Sequence, residues 1–239
     1  MTRLRVRFSK RGKVRWTSHR DVARMWERAF RRIQLPLAWT GGFSPRPKLS
    51  FGLALPTGAE SLAEYLDLDL APDADVGSGA GGVDVEDLPA RLSSALPVGL
   101  EATAVAAVDP RAPSLQEDVV SCTWRMGFGP GVDLATLVDV ALASPSLLVE
   151  RERKGRLSVD DVRPAILALD AVTGAAGEPE LEALLATRPR ALRPQELVRA
   201  LDPALEVAGV CRTHQWIERD GLLEEPLAAA PHALGARAQ

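Results

Sequence analysis

Strict alternation opens the chain. Between Arg3 and Phe8 the apolar Leu4, Val6 and Phe8 fall on one face and Arg3, Arg5 and Arg7 on the other, the period of a half-buried strand with a basic face. Ser9 to Gly12 reads as a turn. Val22, Met25, Trp26, Ala29, Phe30 and Ile33 then recur at helical spacing and form one apolar stripe. Thr17 or Ser18 can cap this helix, with Asp21 placed three residues after Ser18 as in a capping box. Leu35 to Lys48 holds three prolines and the Gly41-Gly42 pair, which predicts a loop. Two alternating runs, Leu49/Phe51/Leu53/Leu55 and Leu66/Leu68/Leu70, joined through Pro56 to Ser61, predict a hairpin. A linker rich in Gly, Asp and Ala (Ala71 to Val85) precedes a short helix over Asp87 to Leu96, with Pro89 in its first turn, and a strand over Val98 to Val108. The order β-α-β-β-α-β is that of the ferredoxin-like split βαβ unit.

The second half reads the same way. Val119 to Phe128 predicts a strand and Leu134 to Ala143 a helix, followed by a hairpin of Leu147 to Arg153 and Arg156 to Val159 turned at Lys154-Gly155. Ile166 to Val172 and Leu181 to Thr187 add strands, Pro194 to Leu201 a helix that starts at a favourable proline, and Val207 to Trp216 a closing strand. The expected fold is α+β, with tandem ferredoxin-like (βαββαβ) units built on antiparallel sheets. The units span residues 1–109 and 118–220, and an Ala-rich disordered tail covers 221–239. No sequence repeat links the halves.

Composition supports one large or two small folded domains, since 239 residues are 46% apolar. The formal charge of −3 and a pI near 5.7 argue, taken alone, against a nucleic-acid partner. The average hides a polarised chain. Residues 1–50 hold 14 Lys/Arg against 2 Asp/Glu, residues 51–120 hold 2 against 13, and residues 121–239 hold 13 against 17. Cys122 and Cys211 lie 89 residues apart, which excludes a C-x-x-C knuckle or a cysteine-ligated cluster held by this chain alone and predicts buried free thiols. Neither a signal-peptide core nor an 18-residue apolar stretch is present, so the expected location is cytoplasmic, away from membranes.

The basic residues concentrate the candidate chemistry. Arg20, Arg24, Arg28 and Arg31 project along the side of the first helix opposite its apolar stripe, and Lys10, Arg11, Lys13, Arg15, Arg46 and Lys48 adjoin them. A polyanion is the natural counterpart. Seven of the eleven aromatic residues lie between Phe8 and Phe51. Trp26, Phe30, Phe8 and Phe51 belong to core faces, which leaves Trp16, Trp39 and Phe43 as candidates for stacking on RNA bases. Arg3, Arg5 and Arg7 are expected to pair across strands with the Tyr65, Asp67 and Asp69 face rather than to bind a ligand. His19 sits at the start of the first helix, where it can order the cap or serve as an acid–base group in metal-independent RNA cleavage. His214 has no visible partner, and three scattered histidines make no metal site. No Walker loop, G-x-G-x-x-G, G-x-S-x-G or H-E-x-x-H is present, so no cofactor is expected. Arg151, Arg153, Lys154 and Arg156 crowd the second-half hairpin tip, and Arg188, Arg190 and Arg193 approach a helix start.

Several of these residues fall in longer strings: Phe8-Ser9-Lys10, Thr17-Ser18-His19-Arg20-Asp21, Arg28-Ala29-Phe30-Arg31-Arg32, Leu35-Pro36, Gly42-Phe43-Ser44-Pro45-Arg46-Pro47, Leu55 to Ser61, and Glu64-Tyr65-Leu66-Asp67. Across residues 3–70 the chain resembles the radical-SAM-linked family, a bacterial domain of unknown function found alone or at the C-terminal end of radical SAM proteins. Asp161 to Pro164, Leu192 to Pro194 and Arg212-Thr213 agree more thinly. The resemblance implies an accessory role beside a radical SAM protein. The cysteine triplet of a radical SAM cluster is missing here, so any radical chemistry would belong to the partner. Three functions stay open: a non-catalytic RNA-binding module for tRNA or rRNA, an endoribonuclease using His19, and a protein adaptor for the radical SAM partner.

Overall fold

The computed structural model describes residues 2–77, 82–153 and 155–228, without the side chains of Glu152, Arg153 and Arg156. Mixed α/β, it has mostly antiparallel strands and, among the described residues, five α-helices. The chain divides into two compact units. One holds the described residues up to Thr57, Ala63–Asp118 and the described residues from Glu225 onward; the other holds Gly58–Leu62 and Val119–Glu224.

In the first unit, β1 (Arg3–Lys10) lies between β4 (Leu100–Val108) and β3 (Glu60–Asp69), and β2 (Leu49–Phe51) pairs with β3. β1 with β4 and β2 with β3 pair antiparallel. Helices α1 (His19–Arg32) and α2 (Leu88–Ala95) cover the apolar face. α1 forms where the sequence predicts it, because Ser18 Oγ accepts the Asp21 N–H at 3.2 Å and so satisfies one free donor of the first turn. Its stripe of Val22, Trp26, Ala29 and Phe30 is buried on Leu4, Val6, Phe8 and Leu66. Burial of Trp26 and Phe30 contributes roughly 1.5–3 kcal/mol each, and the Phe8 and Trp26 rings meet edge to face at 4.9 Å.

The opposite face of β1 pairs as the alternation predicts, but it is largely covered, with only Arg3 partly open to solvent. Arg5 donates to both oxygens of Asp67, at 2.8 and 2.9 Å, Arg3 donates to Asp69 at 2.8 Å, and Arg7 donates to the Tyr65 hydroxyl at 3.3 Å and to Glu225 at 3.0 Å. Arg5, Arg7, Asp67 and Asp69 are all buried. The cover comes from sequence-distant segments. Arg3 also donates to the Pro110 carbonyl, and Leu115 of α3 (Leu115–Asp118), together with Leu227, packs on Ala63 and Tyr65.

In the second unit β5 (Val119–Phe128) lies between β10 (Val207–Arg219) and β9 (Pro179–Ala186), and β8 (Ile166–Thr173) borders β9, again antiparallel. β6 (Leu148–Arg153) and β7 (Arg156–Asp161) form a separate two-stranded hairpin. Glu60 and Ser61, the first residues of β3, pair in parallel with Cys211 and Arg212. α4 (Leu134–Ala143) and α5 (Pro194–Leu201) match the reading of the sequence because their starts are chemically marked. Asp133 caps α4 by accepting the Thr136 N–H, and Glu196 accepts the Arg193 N–H ahead of Pro194 in α5. Cys122 is buried and Cys211 half-buried, both as free thiols.

Three expectations change. β2 ends at Phe51, short of Leu53 and Leu55, and β3 starts at Glu60, well before Leu66, so the loop joining them covers residues 52–59 rather than Pro56 to Ser61. The tail expected from residue 221 begins with structure: β11 (Leu222–Glu224) pairs with Ile217–Arg219, and Glu225 and Leu227 are bound as above. Residues 229–239 of that tail, residues 78–81 of the acidic linker and Lys154 of the hairpin tip lie outside the described residues.

Candidate nucleic-acid interface

Because the apolar stripe of α1 is buried, the helix turns Arg20, Arg24, Arg28 and Arg31 to solvent. Arg24 meets Asp21 at 3.4 Å and Arg31 meets Glu27 at 3.6 Å, exposed pairs that contribute only about 0–1 kcal/mol. Arg20, Arg28 and the neighbouring Arg32 have no carboxylate partner among the described residues. Arg32 is absent from the candidates chosen on sequence; the Arg31-Arg32 doublet at the end of the helix signals it.

A short 3-10 turn, Gly12–Trp16, precedes the helix and exposes Arg11 and Lys13. Arg15 is half-buried, its guanidinium 5.4 Å from the centre of the Trp16 ring. The loop between α1 and β2 folds back on itself: Trp39 bridges Pro47, the Thr40 N–H donates to the Arg46 carbonyl at 2.8 Å, and the Arg46 N–H donates to Thr40 Oγ1 at 3.0 Å. The tip Gly41–Pro45 is thrown outward, with Gly42 at a φ of 105° that disfavours any residue bearing a Cβ. Arg46 and Lys48 are exposed, although Lys48 shares a shallow cleft with Asp67 and Asp69. All three stacking candidates are accessible: Trp16 is 64% exposed, Trp39 50%, and Phe43 fully.

Lys10 does not join this surface. It is buried at the end of β1, where its ammonium donates to the carbonyls of Thr17 at 3.0 Å and Arg15 at 3.4 Å. Burial lowers its pKa, against the opposing pull of Glu64. The reading of Ser9 to Gly12 as a turn makes Lys10 surface; β1 instead runs on to Lys10, which lies on the same side as Leu4, Val6 and Phe8.

His19 is exposed and makes no cap hydrogen bond, that role falling to Ser18; its ring stands edge-on to Phe51 at 5.0 Å. It borders a cavity of about 20 Å³, also lined by Lys10 and Glu64, with room for about one water. His214 has partners after all, stacking on Trp216 at 5.1 Å and approaching Thr213 Oγ1 at 3.1 Å. His232 lies outside the described residues. Among those residues no group of three or more His, Cys, Asp or Glu is placed to hold a metal ion.

Two arginines of the second unit's basic cluster are neutralised. Arg151 meets Asp160 at 3.2 Å and Glu196 at 2.8 Å, and Arg190 meets the same two at 3.2 and 2.9 Å. Arg188 and Arg193 remain exposed.

One depression adjoins the arginine face directly. It is a groove of about 330 Å³ lined by Met25, Arg28 and Arg32 of α1 and by Ala95, Leu96 and Pro97 at the end of α2. Elsewhere, no helix is long and apolar enough to cross a membrane among the described residues. A family model, DUF2344, described as an uncharacterized protein conserved in bacteria, matches residues 3–194. No curated protein matches the chain.

Proposed function

The chain belongs to that bacterial family, whose description names no activity, and from this premise we propose that it is a non-catalytic RNA-binding accessory module. We read both units as ferredoxin-like, each in the strand order fourth-first-third-second, and the first as the RNA-binding one. The carrying observation is that Arg11, Lys13, Arg20, Arg28, Arg32 and Arg46 are exposed and free of carboxylate partners among the described residues, on the same unit as the accessible rings of Trp16, Trp39 and Phe43. Cations without partners suit phosphates, and accessible rings suit unstacked bases, so the reading favours single-stranded or loop regions of tRNA or rRNA. The resemblance of residues 3–70 makes a radical SAM protein the proposed partner and the cytoplasm the proposed location.

Binding of a structured RNA, measured by fluorescence anisotropy over a range of salt, tests the proposal. Affinity is expected to fall steeply with salt, and Arg20→Glu with Arg28→Glu to abolish it without lowering Tm. Undiminished binding by that double variant overturns the proposal.

A second reading, metal-independent RNA cleavage, draws on one specific observation: His19 borders a cavity that also holds the buried Lys10 ammonium and the Glu64 carboxylate. An acid–base group beside a fixed cation is what such cleavage requires. It predicts cleavage in EDTA that His19→Ala removes; RNA left intact by the wild-type chain refutes it.

A further inference from the structure

We infer that the groove between α1 and the end of α2 is a pocket for a single nucleobase, with Arg28 and Arg32 on the phosphates either side of it. The inference rests on the RNA reading and adds a site to it. α2 is only eight residues long, and where it gives way to Leu96 and Pro97 a gap is left beside Met25, Arg28 and Arg32 of α1. The lining of the gap is mostly apolar, from Met25, Ala95, Leu96 and Pro97, with Arg28 and Arg32 on its α1 side. A merely solvated helix face needs cations but has no use for an apolar lining beside them.

Arg28 and Arg32 are four residues apart, so they stand about 6 Å apart along the helix axis and on one side of it. Neither has a carboxylate partner among the described residues. Two such cations can hold the backbone on both sides of one nucleotide, whose flat base enters the apolar gap, and either guanidinium plane can stack on that base. At about 330 Å³ the groove is at the small end of ligand sites, which suits one base rather than a larger ligand. Charge complementarity selects the occupant. The arginine row continues past the groove to Arg20, Arg24 and Arg31, and a partner with one negative charge per repeating unit matches that row along its length.

The test compares fluorescent decauridylate with an abasic ribose-phosphate chain of the same length. The wild-type chain should bind decauridylate about tenfold more tightly, the scale of one well-held base. Ala95→Trp, which fills the groove without altering charge, should narrow that preference to the part that Trp16, Trp39 and Phe43 supply and leave the salt dependence of both probes unchanged. Pro97→Trp fills the same groove from an exposed position and serves if Ala95→Trp lowers Tm. Equal wild-type affinity for the two probes overturns the base pocket, as does discrimination that neither filling narrows, while the RNA reading stands if Arg28→Glu weakens both probes. Failure of the wild-type chain to bind either probe overturns the RNA reading itself. Arg28-dependent binding of an acidic, leucine-containing peptide with no binding of decauridylate overturns the base pocket in favour of a protein partner.

Discussion

Tyr65 is the only tyrosine in the chain, so its ionisation can be read without interference. Burial, reinforced by the nearby Glu225 carboxylate, raises the pKa of its phenol, while Arg7 acts in the opposite sense. A phenol raised in the native state holds its contribution to stability in full below its unfolded pKa of about 10, and that contribution is lost as pH rises beyond it. Tyrosinate absorbance should therefore appear at higher pH in the native chain than in urea. Glu225→Gln should move the native titration down and Arg7→Met should move it up. Coincident native and unfolded titrations would refute the buried ladder on β1. The period-two pattern predicts the partners of Arg3 and Arg5, but it carries no information about burial, because Leu115 and Leu227 cover this face from far along the sequence.

At the scale of elements, the entry into α1 depends on a side chain that looks like surface. Lys10 holds the Arg15 and Thr17 carbonyls, and so fixes the turn from β1 into the helix that carries the arginine row. Lys10→Met leaves those buried acceptors without their donor. It should destabilise the chain by about 1–3 kcal/mol, measured by urea unfolding, yet leave the salt slope of RNA binding unchanged. A slope reduced by about one phosphate contact would return Lys10 to the interface. The four longer helices are the most legible elements, and for local reasons: Ser18, Pro89, Asp133 and Pro194 mark their starts in the sequence, whereas the single turn of α3 goes unpredicted. β3 was less so, because Glu60, Ser61 and Glu64 interrupt the apolar pattern that identifies its second half. The groove beside Arg28 was not legible at all. It exists only because α2 stops where it does against α1, a tertiary relation that no residue spacing encodes.

For the molecule as a whole, the first unit is assembled from three stretches of chain, the last of which follows the second unit in sequence. Truncation after Glu224 removes Glu225, the acceptor for Arg7 and Tyr65, and Leu227, which packs on Tyr65. Arg7 then remains in a mostly buried setting without its counter-ion, at a cost of about 1–3 kcal/mol. Thermal unfolding of the truncated chain should show that loss, with tyrosinate appearing at lower pH than in the full chain. An unchanged Tm would mean that the C-terminal contact contributes nothing.

The same Arg7–Glu225 contact, made across 218 positions, also bears on biosynthesis. Chains emerge from the ribosome N-terminal end first, and domains ordinarily fold in that order. Here β1 leaves the exit tunnel 218 positions ahead of the carboxylate that neutralises its arginine. Until Glu225 emerges, the nascent first unit carries Arg7 without that closing anion. Its exposure to cellular polyanions during synthesis is therefore set by elongation rate as well as by fold.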